Sequence, residues 1–266
     1  MKFEKKILSA ALVAALAFGL SGCGSDSSDD TTSEETEVHF GYFGANGPSH
    51  WGDLKPEWST CKNGLTLSDV TDPTQHHQSP INFTSAAVAS EPSFELDVDR
   101  DIEFTTENNG HAIEMVPESS EDTMVLDGKT YTLAQFHFHA YSEHTQNNKP
   151  AAIETHFVFK AADGSLAVLG VFVDRNATNE NSALASIFSQ TLPEAGEEGA
   201  KLSINVADIL PEASSVYSYS GSLTTPPCSE GVAWNVYTKH INLSESHVVN
   251  FTKKYHNNFR PVTGNW

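Results

Sequence analysis

Basic side chains are scarce in this sequence: 15 lysines and arginines stand against 35 aspartates and glutamates, a formal net charge of −20 over 266 residues. Phosphate backbones and anionic lipid headgroups are repelled by that balance, which argues against nucleic acid as a partner and against a basic membrane-surface role. Long apolar runs are lacking as well, because the stretch at residues 7–20 falls short of the roughly 20 residues a helix needs to cross a bilayer. No internal repeat is visible, and long helical periodicities are few. With only 3 cysteines, covalent options are few too. What the chain does have is 38% apolar residues, enough for one large core. Its length is one that β-rich folds fill as a single domain.

Lys2, Lys5 and Lys6 precede residues 7–20 in the order of a secretory signal, a charged start followed by a short apolar middle. The segment ends in Leu20-Ser21-Gly22-Cys23, which resembles the lipobox of bacterial lipoproteins and implies a signal peptide over residues 1–22 with the lipid on Cys23. Residues 24–37 carry Asp26, Asp29, Asp30, Glu34, Glu35 and Glu37 and no basic side chain. Such a stretch cannot bury enough to fold, so residues 23–37 read as a solvated linker. Residues 38–266 are then an exported domain of the periplasm or cell envelope, touching a membrane only through the anchor at Cys23. Export also sets the reading of the other cysteines. With Cys23 acylated, Cys61 and Cys228 have one intramolecular pairing open to them, and an oxidising compartment makes a disulfide the default over two buried free thiols.

From about Val38 the pattern is of short strands punctuated by turns. Residues 166–173 (LAVLGVFV) are continuously apolar, as in a strand covered on both faces. Residues 232–237 form another strand candidate, and Asn109-Gly110 and Asp127-Gly128 mark turns between such runs. Helices are expected over residues 180–191 and 245–253, the second opened by Ser244 as N-cap. The outline is one large sheet with helices and long loops around it.

Gln135-Phe136-His137-Phe138-His139 is the most informative stretch. In a strand, Gln135, His137 and His139 share one face while Phe136 and Phe138 pack the other. Two imidazoles then stand about 6–7 Å apart on one surface, a spacing that lets both reach a single metal ion. Residues 153–160 read as a second strand with Glu154, His156 and Val158 on one face. A short connection makes the two runs an antiparallel pair, so His156 would face His137 and His139 and complete a set of three nitrogens. Three neutral imidazoles around zinc leave a fourth position for water, the mark of a catalytic rather than a closed structural site. Gln135 and Glu154, two residues from the ligands on the same faces, suit the task of fixing the outer N–H groups of the rings. The alternative is that these are polar residues on the solvated face of an amphipathic sheet.

The segments Asn46-Gly47-Pro48, Gln78-Ser79-Pro80-Ile81, Asn108-Asn109-Gly110-His111, Ser142-Glu143-His144-Thr145, Glu154-Thr155-His156, Leu166-Ala167-Val168-Leu169-Gly170 and Gly221-Ser222-Leu223-Thr224-Thr225-Pro226-Pro227 surround the His-x-His run in sequence. In that order they closely resemble the α-class carbonic anhydrases, over nearly everything from Phe40 to about Pro261. The resemblance implies a mainly β fold with peripheral helices (α+β), a single domain on a large, mostly antiparallel, twisted central sheet. The activity it implies is reversible hydration of CO2 to bicarbonate and a proton by zinc-bound hydroxide. His137, His139 and His156 would be the zinc ligands, and Cys61 and Cys228 the disulfide of bacterial members. Thr224 would accept the hydroxide's hydrogen and donate its own to Glu143, with Thr225 following in the pocket wall.

Val158, Val168, Leu223 and Trp234 match the family's apolar positions where CO2 waits. His111 matches the proton-shuttle histidine, with Tyr42 and Asn109 in the water network between it and the metal. Pro80 and Pro227 match cis-prolines, His144 has a structural place by analogy, and no catalytic role falls to His76 or His77. Two positions depart from the pattern: Ala140 stands where an aromatic often follows the second ligand, and Glu114 where an amide is common near the mouth. Bacterial members are often dimers, so by that analogy alone a homodimer is a candidate assembly. Relatives of this fold that lost their zinc ligands serve as binding modules, but here all three ligands, Glu143 and Thr224 are present. Another zinc hydrolase is disfavoured because no Asp-containing two-metal cluster accompanies His137 and His139.

Overall fold

The computed structural model describes residues 38–64, 77–119 and 121–266; the stretches expected to be a signal peptide (1–22) and a linker (23–37), with Cys23, and His76 lie outside the described residues. The strands are β1 (Asn82–Phe83), β2 (Phe94–Asp97), β3 (Asp101–Asn108), β4 (Ile113–Pro117), β5 (Thr123–Leu126), β6 (Lys129–His139), β7 (Thr145–Gln146), β8 (Ile153–Ala161), β9 (Leu166–Arg175), β10 (Glu198–Asn205), β11 (Val216–Ser222), β12 (Glu230–Tyr237) and β13 (Ile241–Leu243). The α-helices are α1 (Trp51–Leu54), α2 (Thr60–Asn63), α3 (Ser182–Phe188) and α4 (Glu245–Lys254).

One 11-stranded sheet runs in the order β10-β3-β4-β6-β8-β9-β12-β11, with β2 joined through β5 to β6 and β13 joined to β9. Pairing in it is antiparallel except that β12 and β13 run parallel to β9. Short turns between successive strands produce this. Asp127 and Gly128 both take left-handed backbone, φ 51° and 74°, and close a two-residue hairpin with Leu126 opposite Lys129. The strands expected at 153–160, 166–173 and 232–237 are β8, β9 and β12, and β9 is buried without interruption from Ala167 to Val173.

The helix expected over 180–191 contracts to α3. Asn181 caps it by accepting from Leu184 N, while Glu180 turns away to accept from Ser244 N at 2.7 Å and to meet His247 Nδ1 at 2.7 Å. Pro193 and the residues leading into it do not extend the helix. Ser244 does hold the N-cap position of α4 in extended backbone, but its hydroxyl caps no backbone N–H and lies instead 3.0 Å from His247 Nδ1.

Phe136, Phe138 and Phe157 are buried in a core shared with Phe188 of α3 and Phe251 of α4. Each such ring contributes roughly 1.5–3 kcal/mol by leaving water. A second cluster holds Ile81, Phe83, Val168, Phe172 and Trp234. Alternation along β6 commits its phenylalanines to the helix-covered side, so His137 and His139 must take the other. Cys61 of α2 and Cys228 form the disulfide, and the bonds before Pro80 and Pro227 are cis, as is the Ala140–Tyr141 bond. Among the described residues no helix is long and apolar enough to cross a membrane.

Asp122, 1% exposed between β4 and β5, has no hydrogen-bond partner for either carboxylate oxygen among the described residues. Burial pushes it up to about 6 against the pull of Arg100, with Asp97 and Glu121 adding to the rise. The folded state therefore holds the proton more tightly than the unfolded chain. The penalty is absent below about pH 4, grows as pH rises, and is complete above about pH 6. Asp122→Asn should gain on the parent by about 1–2 kcal/mol, discounted for screening, between pH 4 and pH 8. Denaturant melts of both proteins at the two pH values test this; an unchanged gap would refute it.

Candidate active site

β6 and β8 bring the histidines together. His137 stands opposite His156 and His139 opposite Glu154, after a bulge between Leu133 and Gln135 that shifts the register by one residue. The ring centroids of His137 and His139 are 5.0 Å apart, those of His137 and His156 5.3 Å, and those of His139 and His156 4.7 Å.

Outer partners orient the rings. His137 Nδ1 meets Gln135 Oε1 at 2.8 Å, and His139 Nδ1 meets the backbone carbonyl of Asn258 at 2.6 Å. His156 Nε2 sits 2.9 Å from Glu154 Oε1, close but outside hydrogen-bond angles. A nitrogen from each of the three rings lies within 4.8 Å of one from each of the others. His139 Nε2 is buried with no hydrogen-bond partner among the described residues, which a buried polar atom avoids unless a ligand is meant to take it. Burial, and then the neighbouring imidazoles, hold His137 well below the usual histidine range, and burial likewise lowers His139. Burial also opposes charge on His156, but Glu154 outweighs it and raises that ring. Neutral imidazole is the form that binds a divalent ion.

Glu154 is the hub behind the rings. Its Oε2 accepts from the backbone N–H groups of Glu143 and His144 at 2.8 Å each, and its Oε1 meets His144 Nδ1 at 2.8 Å. His144 Nε2 meets Tyr219 OH at 2.6 Å. Burial alone would raise Glu154, but His144 and His156 hold it well below the carboxylate range. Gly170, opposite His156 in β9, leaves the room: a Cβ there would stand 3.1 Å from Glu154 Oε1.

Glu143 is buried. Its Oε1 accepts from Arg260 N at 2.7 Å, while its Oε2 has no hydrogen-bond partner and lies 3.6 Å from His139 Nε2. Thr224 is 5% exposed and lines the same cavity as the histidines, without a hydrogen bond to Glu143. That cavity, about 260 Å³, has Val158, Val168, Leu223 and Trp234 on its apolar wall beside Thr225. Tyr42, Asn109, His111 and Glu114 also line it.

His111 stacks on Phe40, centroids 3.8 Å apart at 13°, and burial, then His39, lower it. Asn109 Oδ1 accepts from His111 N and Ala112 N at 2.8 Å each, and its Nδ2 donates to Glu114 Oε1 at 2.9 Å. Glu114 is pushed up to about 7 by burial and then Glu107. Tyr42 OH is buried without a hydrogen-bond partner among the described residues, and burial raises it well above the phenol range. Ala140 is 2% exposed and donates its N–H to Asn258 Oδ1 at 2.9 Å.

Residues 46–266 match the eukaryotic-type carbonic anhydrase family. A carbonic anhydrase of Pectobacterium atrosepticum is 36% identical over 249 residues, 93% of each chain. The chain belongs to the carbonic anhydrase family. One from Klebsiella pneumoniae is 38% identical over 230 residues, 84% of this chain and 87% of that one. The solved α-carbonic anhydrase of Thermovibrio ammonificans, in complex with the inhibitor sulfanilamide, superposes with a TM-score of 0.74 at 40% identity, covering 85% of this chain and 95% of that one. Zinc is the family's metal, and the three-imidazole donor set with its orphaned His139 Nε2 fits it. Four residues that pattern reading passed over complete the site: Phe40, Tyr219, Asn258 and Arg260. Arg260 is buried, and its guanidinium donates to Gln78 Oε1 at 2.9 Å, Ser79 O at 2.7 Å and Cys61 O at 2.8 Å, so it joins the disulfide region to the Glu143 backbone contact.

Proposed function

We propose that this protein hydrates CO2 reversibly to bicarbonate and a proton at the His137, His139 and His156 centre. The observation that carries this reading is the approach of three imidazole nitrogens to within 4.8 Å, in a cavity with one apolar wall. His137, His139 and His156 would hold zinc, which would lower the pKa of a bound water to about 7 and so supply a nucleophile at neutral pH.

The chain's own residues do the rest. CO2 is uncharged and nonpolar, so the wall of Val158, Val168, Leu223 and Trp234 favours it over water. Glu143, when ionised, is acceptor-only, and its open Oε2 suits the hydroxyl of Thr224. A hydroxyl of Thr224 turned to that oxygen would leave the remaining lone pairs of its Oγ1 for the metal centre and disfavour any occupant that cannot donate a hydrogen. Thr225 continues the wall. Each turnover leaves a proton to be moved to buffer, work for a group that titrates near neutrality. His111 at the cavity mouth takes it, with Tyr42 and Asn109 flanking the route. The Cys61–Cys228 bridge suits an oxidising compartment. It accords with a chain exported by residues 1–22 and tethered through lipidated Cys23 and the linker at 23–37, with residues 38–266 catalytic. A homodimer follows by family analogy.

Metal analysis coupled to a CO2-hydration assay tests the reading. Purified protein should carry about one zinc per chain and lose hydration on chelation; undiminished hydration by metal-free protein would overturn it.

A further inference from the structure

Two side chains from the segment after α4 reach the loop that carries His111. Tyr255 donates its hydroxyl to Asn108 Oδ1, an oxygen that also accepts from Gly110 N at 2.9 Å. Asn258 Nδ2 donates to the carbonyl of His111 at 3.1 Å and to that of Phe138 at 3.0 Å, and its Oδ1 accepts from Ala140 N at 2.9 Å. The backbone carbonyl of the same residue receives His139 Nδ1 at 2.6 Å. Asn258 is 1% exposed, so water does not replace these bonds when one is lost. A single amide thus ties the loop of His111 to the residues on both sides of His139, Phe138 at the end of β6 and Ala140 just beyond it.

We infer that Tyr255 and Asn258 are positioning residues that set the separation between His111 and the metal centre. The inference rests on His111 being the proton shuttle. The imidazole of His111 is placed by stacking on Phe40, a contact that lets a ring slide, so its reach toward the metal depends on where the backbone is held. Proton transfer through intervening water requires aligned donors and acceptors, and a misplacement of about 1 Å can cost up to about 10²-fold. Asn258 and Tyr255 fix that backbone from the side of the C-terminal segment.

The experiment compares zinc-loaded, full-length Asn258→Ser and Tyr255→Phe with the parent and with His111→Ala, measuring CO2 hydration in weak buffer with and without imidazole. kcat includes delivery of the proton to buffer, whereas kcat/KM reports conversion of CO2. Asn258→Ser should lower kcat about threefold to tenfold and Tyr255→Phe about twofold. kcat/KM should fall less in both, and imidazole should restore most of the loss, as it does for His111→Ala. If His111→Ala keeps full turnover in weak buffer, the shuttle reading falls and this inference with it. If His111→Ala loses turnover while both other variants keep it, the inference alone is overturned. Equal losses of kcat and kcat/KM without imidazole rescue overturn it too. Should Asn258→Ser not fold, Tyr255→Phe decides by the same criteria.

Discussion

His139→Ala should leave the protein without bound zinc and lower CO2 hydration by at least about 10³-fold. His139 is 1% exposed; its Nδ1 is taken by the Asn258 carbonyl, and its Nε2 finds no hydrogen-bond partner among the described residues, which leaves that nitrogen for a metal. Loss of an outer partner of a metal ligand costs about 10–100-fold in metal affinity or activity, and loss of the ligand itself costs more. Two imidazoles and Glu143 would remain, a set with one nitrogen too few for a three-nitrogen zinc site. Metal analysis and hydration kinetics on the purified variant, with circular dichroism to establish folding, give the answer. Retained zinc and retained turnover would mean that His137, His139 and His156 do not share an ion.

Val168→Tyr separates substrate access from metal binding. Val168 is 2% exposed in β9, opposite Val158 on one side and Trp234 on the other, so it stands in the middle of the apolar wall. A phenol there fills space in a cavity of about 260 Å³ and overpacks the sheet by about 1–3 kcal/mol. The expected outcome is a drop in kcat/KM of about 10²-fold or more with zinc retained and a modestly lower Tm. Undiminished hydration by folded, zinc-loaded Val168→Tyr would move CO2 to some other surface.

Local order carried most of what could be read in advance. Alternation over residues 135–139 assigned two rings to one face because a strand repeats every second residue, and the facing run at 153–160 supplied the third. Asp127-Gly128 announced its hairpin because only residues tolerant of left-handed backbone fit there. The bulge between Leu133 and Gln135 was invisible, since an extra residue in a strand leaves the hydrophobic pattern on either side intact. Asn258 was missed for a different reason. Its bond to Phe138 spans 120 positions, and nothing near residue 258 marks it as a partner of a residue so distant. Ser244 was placed correctly at the N-cap of α4, but the local signal did not show that its hydroxyl turns to His247 Nδ1, which also meets Glu180, instead of to a backbone N–H.

The bridge between Cys61 and Cys228 joins positions 167 residues apart, and every strand from β1 to β11, with all three ring ligands, lies inside the closed loop. Exposed turns are where proteases nick a folded chain. A single cut within that loop, for instance at the exposed Asp163-Gly164 turn between β8 and β9, leaves both fragments on one covalent thread. The wounded chain is still one molecule, and its severed ends stay close to their native neighbours.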